Sequence, residues 1–143
     1  MSRTIPTDVV SFAAVVALSV SLAGENRLAA PEWKLIGNFG AIRTVYVSPE
    51  GLKDKFFVAQ VLSAVMAKEN PSNPIQVMMF DDIRLTPQAF PMTDVQMLHL
   101  KAQYNKNPNT RLDRFVWVSV TDSKTSPPGL KEVEAPIGPG FAK

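Results

Sequence analysis

The chain has 143 residues, 45% of them hydrophobic and 20% charged, which suits one globular domain and is short for two. Its formal charge is only +2, and the lysines and arginines are not clustered, so we expect no nucleic-acid partner. Because the chain has no cysteine, disulfides, thiolate metal sites and cysteine nucleophiles are excluded.

The N-terminal segment Val9 to Gly24 reads VVSFAAVVALSVSLAG and contains no charge. A signal peptide has a positive start, an apolar stretch of about 7–15 residues and small residues before the cleavage site. Arg3 precedes the stretch, and the tripeptides Ser21-Leu22-Ala23 and Leu28-Ala29-Ala30 both resemble a cleavage site. We therefore predict an apolar helix here, within a cleaved signal peptide over residues 1–30. The mature protein would then be periplasmic or extracellular.

Two alternatives remain for this segment. An uncleaved anchor is one, although residues 9–24 fall just short of the roughly 17–25 residues that span a bilayer. It would attach the protein to a membrane. The other alternative is a buried core helix.

Residues 31–121 are predicted to form a single α+β domain. Segments 33–39 and 41–47 have the β-branched and aromatic residues of strands. Ser48 followed by Pro49 is typical of a helix start, and apolar residues at helical spacing extend that helix to about Glu69.

The second half of the domain is predicted to be mostly strand. Ile75 to Phe80 is an apolar run typical of an inner strand, parallel to 41–47 and reached by a right-handed crossover. Segment 81–94 reads as a loop with one short edge piece. Residues 95–104 fit either a helix, from the capping box at Thr93, or an alternating strand. We favour the strand, because a turn-rich segment then joins it to a strand over 112–120.

Residues 122–143 are rich in proline and glycine and are predicted to be a flexible tail. The predicted fold is thus α+β. One amphipathic helix packs on a mixed sheet of four or five strands, with an apolar N-terminal helix and the tail outside.

Three residues are candidates for chemistry. Asp81 and Asp82 follow a buried strand, where metals and ligands gather in open sheets. Adjacent residues of an extended chain point in opposite directions, however, so a structural role in the turn is favoured. His99 is the only histidine, and nothing in the sequence pairs it with a second ligand. We expect no catalytic residue, no metal and no cofactor.

The strands predict an apolar surface on both sides of the sheet. We expect the helix to cover Val45, Val47, Ile75, Val77, Met79, Val116, Val118 and Val120. The other side would then carry Ile42, Tyr46, Met78, Phe80, Phe115 and Trp117. One helix buries one side, and exposing a large apolar side chain forgoes about 1.5–3 kcal/mol. The 81–94 loop, the tail, the N-terminal segment or another molecule must cover the second side.

These features predict a small exported, non-catalytic binding or assembly module. Tyr46, Phe80, Phe115 and Trp117 are the candidate binding residues, through which a protein partner or a second copy would bind. The first alternative is a membrane-anchored accessory subunit of a larger complex. A small metal-dependent hydrolase around Asp81, Asp82 and His99 is the third hypothesis.

Overall fold

A computed structural model describes residues 30–137, and a compact unit of the chain begins at Pro31. The apolar segment 9–24, with the predicted helix, signal peptide or anchor, lies outside the described residues. So do residues 138–143 of the predicted tail. Within the described range, no helix combines the length and the apolar character needed to cross a membrane.

Residues 30–137 contain one mixed sheet of six strands, in which the strand order follows the chain order. The strands are β1 (Trp33–Phe39), β2 (Ile42–Val47), β3 (Ile75–Phe80), β4 (Leu100–Asn107), β5 (Leu112–Asp122) and β6 (Gly129–Glu134). The helices are α1 (Pro49–Leu52), α2 (Lys55–Met66) and α3 (Asp94–Leu98), with a 3-10 turn over Ile83–Leu85. Among these six strands, β2 and β3 are the one parallel pair. The α+β class is confirmed, and six strands replace the predicted four or five.

The predicted single helix is divided into two. Ser48 accepts a hydrogen bond from Gly51 N and begins α1, as predicted. Asp54 then accepts from the backbone N–H groups of Phe56 and Phe57, at 2.9 and 3.3 Å, and begins α2. A carboxylate that caps backbone donors favours a new start over a continuous helix. The prediction of one helix to Glu69 is therefore wrong between α1 and α2.

Helix α2 covers one side of the sheet, which we call the helix face. Its buried residues Val58, Val61, Leu62 and Val65 follow the helical repeat and form one core cluster with the sheet. The strand residues of this cluster are Val45, Val47, Ile75, Val77, Met79, Ala102, Tyr104 and Phe115. The Arg43 guanidinium also binds both Glu69 carboxylate oxygens, at 2.8 and 2.6 Å, and so joins β2 to the chain just beyond α2.

The opposite side, which we call the loop face, has its own smaller core. Its buried members are Met78, Phe80, Leu100, Val116 and Val118, with Ile42, Met92 and Leu130 packed against them. Residues 86–92 help to cover the loop face. The buried Thr44 hydroxyl donates to Pro87 O at 2.7 Å, and the Phe90 ring meets the Phe39 ring edge-on at 5.3 Å. The loop is thus one of the predicted covers of the second side.

Strand β5 faces the opposite way from the prediction. Phe115 and Trp117 belong to the helix face, whereas Val116 and Val118 lie on the loop face. The register with β4 explains this, because Phe115 lies opposite the buried Tyr104 and Val116 lies opposite Gln103. The predicted grouping of Phe115 and Trp117 with Ile42, Tyr46, Met78 and Phe80 is therefore wrong.

The ambiguous segment before β5 contains both of its alternatives in turn. The capping box between Thr93 and Gln96 forms, with hydrogen bonds of 2.9 and 3.1 Å, and begins α3. After the helix ends at Leu98, the alternating residues form β4. The predicted hairpin between this strand and β5 is confirmed.

Strand β6 lies inside the segment predicted to be a flexible tail. It pairs antiparallel with β5 along its length. Arg114 of β5 forms ion pairs with Glu132 and Glu134, at 3.5 and 3.4 Å. The prediction of a flexible tail over 122–143 is therefore wrong for β6. The strand depends on pairing with β5, which a local sequence pattern does not reveal.

Candidate functional site

A cleft of about 320 Å³ opens where β2 and β3 end, and we call it the carboxyl-edge cleft. Its lining comes from four separate segments of the chain. These residues are Pro49, Leu52, Lys53, Asp81, Lys101, Trp117 and Val118. Its volume falls at the lower end of the roughly 300–1,000 Å³ that small-molecule sites occupy. The volume is that of a small molecule, and the cleft is shallow and open to solvent.

Helix α1 forms one wall of the carboxyl-edge cleft and is held in place from two sides. The Ser48 hydroxyl that caps it also accepts a hydrogen bond from Glu32 N at 3.0 Å, which connects α1 to the start of β1. Gly51 is buried so close to Phe57 that a Cβ there would lie 2.7 Å from the ring. A larger residue at position 51 would displace the Phe57 ring, so glycine lets α1 pack closely against α2.

Asp81 is the acidic residue of the cleft and holds two basic neighbours. One carboxylate oxygen lies 2.7 Å from His99 Nδ1, and the other lies 4.0 Å from Lys101 Nζ. Lys101 also donates to the carbonyl of Leu98 at 3.1 Å, which restrains its long side chain. The carboxylate therefore orients an imidazole and an ammonium group at the edge of the sheet.

Asp82 takes no part in this arrangement. Its carboxylate accepts a hydrogen bond from Arg84 N at 2.9 Å and caps the 3-10 turn. The adjacent aspartates thus bind different groups, as expected of neighbours on an extended chain. Over residues 30–137, no three histidine, aspartate or glutamate side chains are placed to share a metal ion.

The four predicted binding residues are not brought together. Phe80 and Phe115 are buried in the cores of opposite faces. Tyr46 is half-buried, and its hydroxyl lies 3.5 Å from Glu32. Trp117 alone of the four lines the carboxyl-edge cleft, where its ring meets that of Phe115 edge-on at 5.0 Å.

Sequence reasoning missed the other residues of this cleft. Lys53 and Lys101 are ordinary lysines in their local sequence, and Leu52 matches the helical apolar pattern. Only the position of Asp81 at the end of a buried strand signalled this edge of the sheet.

A second cleft, of about 220 Å³, lies at the other end of the parallel strands. Gln76, Asn105, Lys106 and Leu112 are among the residues that line it. It has one lysine, and no aspartate or glutamate lines it. We call it the amino-edge cleft, and it is an internal control for binding at the carboxyl-edge cleft.

No protein-family model matches this chain, and no curated protein or solved structure matches it significantly. The geometry of the carboxyl-edge cleft is therefore the basis for assigning a function.

Proposed function

We propose that this protein is a small exported, non-catalytic binding module whose ligand occupies the carboxyl-edge cleft. The observation that carries the proposal is the convergence of α1, β3, β4 and β5 on one cleft with apolar walls and a few charged groups. Small-molecule sites have this composition. In open sheets, ligands also bind beyond the carboxyl ends of parallel strands, where this cleft lies.

We place the ligand in this cleft rather than on the surface of the sheet. A protein partner or a second copy could bind the aromatic side chains of the sheet only where they are uncovered. On the loop face, Met92 and the segment around Pro87 cover part of the sheet. Trp117 supports the cleft instead, since it is the half-buried aromatic residue in its lining.

A nuclear magnetic resonance screen tests this function. Fragments of small-molecule size are added to the isotope-labelled chain, and amide and indole shifts are followed. We expect shifts concentrated at Leu52, Lys101 and Trp117, with the amino-edge cleft unaffected. Shifts concentrated at Gln76 and Asn105, or scattered over the surface, would contradict the assignment.

Export is proposed from the uncharged segment 9–24. Mass spectrometry of the natively expressed protein is expected to find the mature N-terminus at residue 24 or residue 31. An intact N-terminus with resistance to carbonate extraction would instead favour the membrane-anchored accessory subunit.

A hydrolase is the second candidate function, and one observation favours it. A carboxylate that holds an imidazole, as Asp81 holds His99 at 2.7 Å, can orient it as a general base. Turnover of p-nitrophenyl acetate or p-nitrophenyl phosphate by the wild-type chain, lost in His99→Gln, would establish this candidate. Equal background rates for both proteins would exclude it for these two ester classes.

A further inference from the structure

The charges of the carboxyl-edge cleft are unbalanced. Two lysines and one aspartate line it, which gives the lining side chains a formal charge of +1. The Asp81 carboxylate already contacts His99 and Lys101. Within residues 30–137, Lys53 has no ion-pair partner. The cleft therefore presents positive charge that its own carboxylate does not neutralise.

The two lysines come from different elements. Lys53 follows α1, whereas Lys101 lies in β4 and is held by the Leu98 carbonyl. Because both lysines line the same cleft, a negative group bound there can accept charge-assisted hydrogen bonds, which are stronger than neutral ones. The amino-edge cleft offers one lysine and no such pair.

The rest of the lining is apolar and includes an aromatic ring. Pro49, Leu52 and Val118 contribute aliphatic surface, and Trp117 contributes the indole. The edge-on contact with Phe115, at an interplanar angle of 80°, helps hold the indole in one orientation. Such a surface favours a flat apolar body.

We propose that the carboxyl-edge cleft binds a small amphipathic anion. Its apolar body contacts Trp117 and Leu52, and its carboxylate, phosphate or sulfonate group lies between Lys53 and Lys101. The inference rests on the proposed binding function and specifies the class of ligand. The cleft has a volume of about 320 Å³, and the whole chain has a formal net charge of only +2. Both values fit a small monoanion better than a polyanion such as nucleic acid.

Two dyes that share one ring system test the proposal. The charged dye is 8-anilino-1-naphthalenesulfonate, and N-phenyl-1-naphthylamine lacks its sulfonate. Both are titrated into the full chain carrying Trp33→Phe, in which Trp117 is the only tryptophan. Quenching of Trp117 reports occupancy of the cleft, and near-ultraviolet circular dichroism confirms that each protein is folded.

The test variant is Lys53→Gln/Lys101→Gln, and its matched control is Lys34→Gln/Lys68→Gln. Both remove two positive charges, but Lys34 and Lys68 are exposed residues outside the lining. We expect the test variant to bind the sulfonate at least about tenfold more weakly, because two charge-assisted contacts are lost. The control should change affinity by less than about twofold, since exposed charges outside the site act weakly. Affinity for the uncharged dye should be the same in all proteins.

The possible outcomes distinguish a failure of the anion assignment from a failure of the binding cleft itself. If both dyes quench Trp117 and the test variant binds the sulfonate as well as its control does, the anion assignment fails and the binding cleft stands. If neither dye quenches Trp117 in the folded protein, neither the anion assignment nor the apolar binding cleft survives.

Discussion

The two faces of the sheet are covered in different ways. On the helix face, the regular helix α2 places several buried side chains against the strands. On the loop face, residues 86–92 contribute a buried Thr86, the Pro87 carbonyl and the Met92 side chain. A helix satisfies its own backbone groups, whereas an irregular cover depends on particular side-chain contacts. The difference predicts a rigid cover on one face and a more adaptable cover on the other.

Truncation of two adjacent methionines should give the largest difference in stability between the helix face and the loop face. Met79 is fully buried on the helix face, and Met78 is 5% exposed on the loop face. We expect each change to alanine to lower the free energy of unfolding by about 2–5 kcal/mol, with Met79→Ala the more costly. The loop can collapse into a cavity more easily than α2 can. Urea denaturation measures both, and a larger cost for Met78→Ala would refute the difference between the covers.

Removal of a hydroxyl tests the contact between the sheet and the loop. Thr44→Val leaves the Pro87 carbonyl without its donor, which should cost about 1–3 kcal/mol for a buried group. Hydrogen exchange should also accelerate around residues 86–92. Thr110→Val is the control, because its hydroxyl lies in an exposed turn. Unchanged exchange near Pro87 would show that this hydrogen bond does not restrain the loop.

The N-caps of α2 and α3 provide a comparison with a smaller expected change in stability. Asp54→Ala should lower global stability by about 0.5–2 kcal/mol, because α2 contributes buried residues to the helix-face core. Thr93→Ala should act mainly locally, since α3 has no buried residue. Chemical denaturation and amide exchange in α3 distinguish the two effects. Equal losses of global stability would indicate that α3 supports the core as strongly as α2 does.

Two tyrosines provide the smallest test, at alkaline pH. Burial, and then the hydrogen bond to Asp113, raises the pKa of Tyr104 above its usual value of 10.0. The folded chain keeps this proton where the unfolded chain loses it, so its contribution to stability is full below pH about 10 and falls above it. Tyr104→Phe should therefore reduce the alkaline loss of stability.

Tyr46 is the comparison for this effect. Burial, and then the nearby Glu32, raises its pKa as well, but the ring is half exposed. Tyr46→Phe should have the smaller influence on stability between about pH 9 and 11. Unfolding free energies of the three proteins across that interval decide the order, and an equal response would contradict it.

The sequence predicted local elements better than the way they pack. Hydrophobic periodicity and caps located β1 to β5, the start of α1 and the capping box of α3. Strand β5 could not be oriented from its residues, because Phe115 and Trp117 on one side and Val116 and Val118 on the other are equally apolar. Its pairing with Tyr104 and Gln103 decides the orientation, and that register is a tertiary property.

Strand β6 and the cleft were hidden for a related reason. Lys131, Glu132 and Glu134 have little strand propensity, and pairing with β5 and Arg114 supports them. The cleft combines residues that are far apart in the sequence, and its lysines carry no local signal. The sequence position of Asp81 predicts mainly a turn residue, yet its carboxylate also links His99 to the cleft.

The identical order of strands in the chain and in the sheet bears on how the protein folds. Within residues 30–137, every strand pairs with its neighbour in sequence, and the β2–β3 pairing must close across the two helices α1 and α2. Short loops close at low entropic cost, so the hairpins can form before the parallel pair. Stopped-flow refolding should find Val77→Ala, in the parallel pair, slowing folding less than Ala102→Gly, in the β4–β5 hairpin. The parallel crossover that creates the cleft would then be the last part of the sheet to assemble.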